Sequence, residues 1–163
     1  AKTAKDMDLA KLFIPAFMKV AMAAVSMSAA QAQGNGYLGL ADRIVFNRDN
    51  LIGEAKKEVL KMVDDGYVPP AKKPLIVMGN GGQGMVNAEI YNMLNGKFMS
   101  EHDAFLAKRI AFVMSGGDVK SGSEVDEDVI LKLEREAFVD FCKEELTVAR
   151  IDHMLKTGKP LRN

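Results

Sequence analysis

Several groups of residues have the types and spacing that chemistry would need. Gly79-Asn-Gly81-Gly-Gln-Gly84 has the form G-x-G-x-x-G, follows the apolar run Leu75 to Met78 and precedes a helical pattern. Glycines so placed let a backbone approach a pyrophosphate, and the unpaired amides of a helix N-terminus face the anion. A dinucleotide fold also needs a second parallel strand and an acidic residue about 20 positions on, to hold the ribose. That position falls at Glu101 or Asp103, inside a helix-capping sequence with no strand before it. The stretch therefore reads as a flexible glycine loop, and a small nucleotide-binding α/β domain is the competing reading.

Glu101-His102-Asp103 sets a histidine between carboxylates, but no serine or cysteine nucleophile accompanies it, and Ser100-x-x-Asp103 accounts for these residues as a helix start. Cys142 stands beside Phe138 and Phe141 on an apolar helical pattern and reads as an inert core thiol. Glu134, Glu136, Asp140, Glu144 and Glu145 are dense enough for acid/base work. They alternate with Lys132, Arg135 and Lys143, the pattern of a solvated helix face.

The composition narrows the setting. The chain has 163 residues, 48% apolar and 27% charged, enough for one ordinary domain or one lobe of a larger chain. Lysine plus arginine and aspartate plus glutamate each total 22, so no net field gathers a polyanion, and nucleic acid is not an expected partner. One cysteine closes no internal disulfide, and with two histidines it is too little for a usual zinc site, so no metal is expected and a reducing, cytoplasmic setting fits. Lys2 and Lys5 before the apolar stretch Leu12 to Val25, with Ala30-Gln31-Ala32 after it, outline a signal peptide. Asp6, Asp8, Lys19 and the dividing Pro15 oppose it, and Lys19 interrupts any membrane span, which needs about 18 apolar residues.

The elements that must position these groups are mainly helices. Leu9, Leu12, Phe13, Phe17, Val20 and Ala24 recur at helical spacing, with Pro15 kinking that helix or starting a second. Ser28 and Gln31 have the form of a capping box, and Arg43 to Phe46 is a short β-prone run. A helix from Asn47–Asn50 to about Val63 turns Leu51, Ala55, Val59 and Met62 inward and stops at Gly66 before Pro69-Pro70. Leu75 to Met78 is a second possible strand, followed by a helix from about Gly84 to Asn95. The next helix is capped by Ser100 and buries Phe105, Ile110, Phe112 and Val113. After the Gly/Ser-rich stretch Ser115 to Ser123, one helix opens at Asp126 with Ile130, Leu133, Ala137, Phe138 and Phe141 on one side. A last helix runs from about Thr147 to Lys156. The expected fold class is mainly α, with at most two short strands.

The stretch Ser28-Ala-Ala-Gln-Ala-Gln-Gly34-Asn-Gly-Tyr-Leu-Gly-Leu-Ala-Asp42-Arg-Ile-Val45, with Leu51 and Glu54-Ala55 after it, resembles a segment of the crotonase superfamily. There S-A-x-x-A begins a short helix, and a glycine turn and a helix with L-x-x-x-A follow. Leu133-Glu-Arg-Glu-Ala-Phe138 and Ile151-Asp-His-Met-Leu-Lys156-Thr-Gly-Lys159-Pro160 are similar to that family's closing segments. Asn47 to Leu51, Gly66-Tyr-Val-Pro-Pro70, Ser100 to Asp103 and Gly158 to Asn163 look closer to one branch, the C-terminal end of bacterial bifunctional 3-hydroxyacyl-CoA dehydrogenase/enoyl-CoA hydratases of fatty-acid β-oxidation.

The resemblance implies three parts: 1–70, a helical segment like the post-catalytic part of a crotonase domain; 71–125, an insertion carrying the glycine stretch; and 126–163, the closing helices. It also implies that the two catalytic glutamates, the oxyanion hole and the NAD-binding domain lie before residue 1. The chain alone is then expected to be inactive and to bind no cofactor, while its parent uses NAD and a CoA thioester. Its implied partners are the upstream crotonase core and dehydrogenase domains and acyl-CoA. Self-association through the helix from Leu9 to Val25 is also expected. Lys159 matches the closing-motif lysine that meets CoA phosphates in the family, although Met154 stands at the family's aromatic position and Gly158 at its arginine. A plain exposed terminal lysine is the alternative. The competing function is a helical protein-interaction module unrelated to CoA chemistry.

Overall fold

A computed structural model of the chain describes residues 8–163. Lys2, Lys5 and Asp6, which entered the signal-peptide reading, lie outside the described residues. The mainly α expectation holds: among the described residues the order is α1 (Leu9–Ala21), α2 (Ala29–Gly34), a 3-10 turn (Arg48–Asn50), α3 (Leu51–Asp64), β1 (Leu75–Ile76), α4 (Gly79–Asn95), α5 (Glu101–Met114), β2 (Glu124–Val125), α6 (Glu127–Phe141) and α7 (Glu145–Thr157). The chain divides into two compact units, residues 8–23 with 72–163, and residues 24–71.

In the first unit, α1, α4 and α5 pack together and α6 lies against α5. Asp8 caps α1 by accepting from the Lys11 amide at 3.4 Å. One unbroken helix passes through Pro15, at the loss of the hydrogen bond that residue's missing N–H would have made. Phe13 and Phe17, one turn apart with ring centroids 6.5 Å from each other, are its buried side chains. The buried stripe is narrower than the sequence pattern predicts, because Leu12 and Val20 are half exposed and Ala24 falls beyond the helix end.

Opposite these rings stand Val86 and Ile90 of α4 and an alanine stripe on α5, Ala104, Ala107 and Ala111. Alanines at helical spacing let a neighbouring helix come close, so the tightest packing on α5 falls on its smallest side chains. The expected burial of Phe105, Ile110, Phe112 and Val113 is corrected accordingly: the last three are partly buried and Phe105 is exposed. Ser100 does form the expected capping box, its hydroxyl accepting from the Asp103 amide at 3.1 Å while the Asp103 carboxylate accepts from the Ser100 amide at 3.4 Å. On α6 only Ala137 is buried, and Phe138 is exposed, contrary to the sequence pattern. The two short strands pair antiparallel, Leu75 with Val125 and Ile76 with Glu124, and tie the start of α4 to the end of the Gly/Ser-rich stretch. The second of them was not anticipated.

The second unit holds α2, the 3-10 turn and α3. Ser28 caps α2 by accepting from the Gln31 amide at 3.1 Å, and the return bond goes to the Met27 amide at 2.6 Å instead of to Ser28 itself. Arg43 to Phe46 forms no strand. With no neighbouring strand to pair with, the run stays irregular, and its Arg43 guanidinium reaches Glu54 and, at 2.8 Å, Glu58 on α3. Asn47 caps the 3-10 turn through the Asp49 amide at 3.0 Å. The inward face expected for α3 is also corrected, since Leu51, Ala55 and Val59 are exposed and Met62 is only partly covered.

Candidate functional site

The glycine stretch is helical, not a loop. Residues 79–84 form the first turns of α4, and the amides that would greet an anion are already used: Gly79 donates to the Ser115 carbonyl at 2.9 Å and Asn80 to the Val119 carbonyl at 2.8 Å. The glycines are there for close approach. Gly79 has φ +50°, and a Cβ on it would stand 2.1 Å from the Val119 carbonyl oxygen. A Cβ on Gly82 would meet Met78, Ser115 and Phe13 at 2.6, 2.8 and 3.1 Å. The connection at 115–119 thus caps α4 with backbone carbonyls, and the Gln83 amide holds the same turn by donating to the Gly117 carbonyl at 2.9 Å. A pyrophosphate would have to displace these bonds, so the residues present do not fit a dinucleotide at this motif.

Glu101-His102-Asp103 sits at the start of α5, as the capping sequence predicts. His102 is buried, its Nε2 stands 3.0 Å from the Thr147 hydroxyl, and its ring stacks on Phe105 with centroids 6.0 Å apart. Burial, reinforced by the nearby Arg150 charge, lowers its pKa and favours the neutral ring. Asp103 joins α7 through Arg150, whose Nη1 donates to it at 2.7 Å. Burial alone would raise that carboxyl, but the hydrogen bonds from Arg150 and Ser100 together hold it below its ordinary range.

Arg150 then turns to the tail. Its Nε donates to Asn163 Oδ1 at 2.7 Å and its Nη2 to the Asn163 carbonyl at 3.0 Å, while the Asn163 amide donates to the Leu146 carbonyl at 3.1 Å. Residues 158–163 therefore fold back along α7. Sequence reasoning missed this clasp, whose partners Asn163 and Asp103 stand 13 and 47 positions from Arg150.

Lys159 lies in that returning strap, just after Gly158, which ends α7 in the left-handed conformation at φ +69°. It is exposed, and its backbone amide is fixed by the Thr157 hydroxyl at 3.1 Å. Cys142 is exposed at the end of α6, which corrects the core-thiol reading. The carboxylates of α6 form ordinary surface pairs: Asp140 accepts from Lys143 and from Arg109, each at 2.9 Å, and Lys132 stands 3.9 Å from Glu136. Among the described residues, no group of three or more His, Cys, Asp or Glu is placed to hold a metal, and no helix is long and apolar enough to cross a membrane.

The second unit carries uncovered apolar surface. None of residues 24–71, all described, is buried. Leu40 and Phe46 are almost wholly exposed, and Ile52, Val63 and Val68 are more exposed than covered. A segment with this content that buries none of it has the make-up of one side of an interface.

No family model matches the chain, and no solved structure matches it. It is 41% identical over 147 residues to a protein of Bacillus subtilis (strain 168) described as "Probable 3-hydroxyacyl-CoA dehydrogenase". The matched region takes in 90% of this chain and 19% of that protein, so the chain spans about a fifth of the length of the curated relative it matches.

Proposed function

We propose that the chain is the non-catalytic C-terminal part of a fatty-acid β-oxidation enzyme, a 3-hydroxyacyl-CoA dehydrogenase/enoyl-CoA hydratase with a crotonase-type core, and that it supports the acyl-CoA site or a domain or subunit interface. The observation that carries this reading is the 41% identity along nine-tenths of the chain to a small part of a much longer dehydrogenase. Two features of the molecule agree with a supporting role. The one stretch with a dinucleotide-like pattern has its helix-start amides bonded to backbone carbonyls, and the uncovered side chains of residues 24–71 suit packing against the rest of a larger protein.

In this reading NAD and the oxidising step belong to the parent enzyme, outside these residues. CoA would supply the thioester that acidifies the reacting carbon, and this chain's contribution would be binding. Lys159, exposed on a strap whose backbone is tied to Thr157 and Arg150, is the residue proposed to meet its phosphates. Such a cation binds ground and transition states alike, because the phosphates lie far from the reacting carbons. Self-association of the isolated chain and a cytoplasmic setting belong to the same proposal.

The test is an assay of the 163-residue chain and of the longer protein that contains its sequence. The chain alone should neither hydrate crotonyl-CoA nor oxidise 3-hydroxybutyryl-CoA with NAD, and the longer protein should do both. Turnover by the repurified chain would overturn the reading, as would a longer protein without either activity.

A further inference from the structure

Along the outer seam of α4 and α5, two adjoining clefts of about 270 Å³ each share Asn87 and Lys108. One is completed by Gln83, Phe105, Arg109 and Phe112, the other by Ile90, Tyr91 and Leu94. Both are open surface clefts, so a ligand seated there would keep one side in solvent.

Several of the lining side chains are held by contacts of their own. Gln83 is anchored to the Gly117 carbonyl. Phe105 is stacked on His102 and meets Phe141 edge-on with centroids 5.9 Å apart. Arg109 is bound to Asp140 and lies 5.3 Å over the Phe112 ring. A wall fixed in this way needs little ordering when a ligand arrives.

The two shared groups differ from the walls. Asn87 and Lys108 are exposed, and among the described residues neither side chain has a hydrogen bond or an ion pair. No carboxylate lines either cleft, so the Lys108 charge is not answered locally, whereas that of Arg109 is neutralised by Asp140.

We propose that this seam binds a small organic anion with an apolar or aromatic body: the carboxylate or phosphate would sit at Lys108 and Asn87, and the body would lie against Tyr91, Phe105 and Phe112. An ammonium group and an amide N–H₂ together suit an anionic head, and the aromatic and aliphatic walls suit a body that excludes water. The site stands apart from the parent-enzyme reading, and neither depends on the other.

The test is a titration of the full 163-residue chain, followed by amide and side-chain NMR. Octanoate and adenosine monophosphate serve as the two sources of such an anion, each beside its uncharged counterpart, octanamide and adenosine. At least one anion should shift Asn87, Tyr91 and Lys108 saturably, and its uncharged counterpart should bind about tenfold more weakly, the loss of one charge-assisted contact. Lys108→Glu should cost at least as much, while Lys132→Glu on α6 should change nothing. Because Lys108 is exposed, its variant should keep the parent helix content, and the uncharged ligands test the same contact without any substitution. Failure of both anions to saturate would overturn the proposal. So would equal binding of the anion and its uncharged counterpart, or shifts indifferent to Lys108→Glu.

Discussion

Residues 24–71 and the body formed by 8–23 with 72–163 are made of similar helical material, yet their apolar side chains have opposite fates. In the body, Phe13 and Phe17 meet Val86, Ile90 and the alanines of α5 in a closed cluster. In 24–71, the longest helix, α3, has its leucines and valines exposed, and it is tied to the preceding segment by charged contacts, from Arg43 to Glu54 and Glu58. Exposed ion pairs seldom contribute more than about 1 kcal/mol, whereas burial of one large aliphatic side chain contributes about 1.5–3 kcal/mol. The body therefore carries its own stability, and 24–71 has to draw its stability from outside itself.

The sharpest way to break this comparison is to empty one side chain in each region. Ile90→Ala should lower the unfolding free energy by about 2–5 kcal/mol, as deletions in closed cores do. Leu60→Ala on α3 should change it by less than about 0.5 kcal/mol, as expected for a side chain more exposed than covered. Urea titration of the two variants decides it, and equal losses would mean that α3 is buried in solution.

The next effect tests whether the glycines of α4 serve packing. Gly79→Ala forces a side chain onto a backbone at φ +50° and toward the Val119 carbonyl. The loss should be about 2–3 kcal/mol, the combined scale of backbone strain and overpacking, seen as a lower thermal midpoint. Gly84→Ala, with open space around its Cβ position, should be neutral or mildly stabilising.

Smaller again is the clasp. Arg150→Ala removes the bonds to Asp103 and Asn163. Because both carboxylate and guanidinium are partly exposed, the cost should be about 1 kcal/mol. Limited proteolysis should then cut within residues 158–163 well before it cuts α5.

The smallest effect is a pH dependence of the body near neutral pH. His102 has a lowered pKa in the folded chain, so below 6.5, its ordinary value, the unfolded chain binds more protons than the folded one. Stability should be full above that pH and decline as pH falls below it. Asp103, also lowered when folded, adds a further loss as pH drops below 3.8. Urea midpoints from pH 8 to 5 check the first step, and His102→Gln should flatten it.

What could be read from the sequence was what neighbouring residues decide among themselves. Ser28 and Ser100 announce helix starts because a cap and its amide are three residues apart. The start of α4 was read five residues late because its capping carbonyls, Ser115 and Val119, come from a turn more than thirty residues away. The same distance hid the Arg150 clasp, whose Asp103 partner is 47 positions off. Burial was legible only in part. Periodicity marks which side chains of α3 share a face, but it does not say whether anything covers them, and among the described residues Leu51 and Val59 stay half or more exposed. Phe138 and Cys142 failed for the same reason on α6.

The most direct measurement is native-state hydrogen exchange of the 163-residue chain by itself. Amides in the middle of α4 and α5, around Val86, Ile90, Ala107 and Ala111, should exchange only with global unfolding. Those of α3 from Ala55 to Val63 should exchange by local opening at rates near those of an isolated helix, which at this length is marginal in water. Protection of α3 equal to that of α5 in the isolated chain would contradict the account, because it would show that residues 24–71 hold themselves together without a partner.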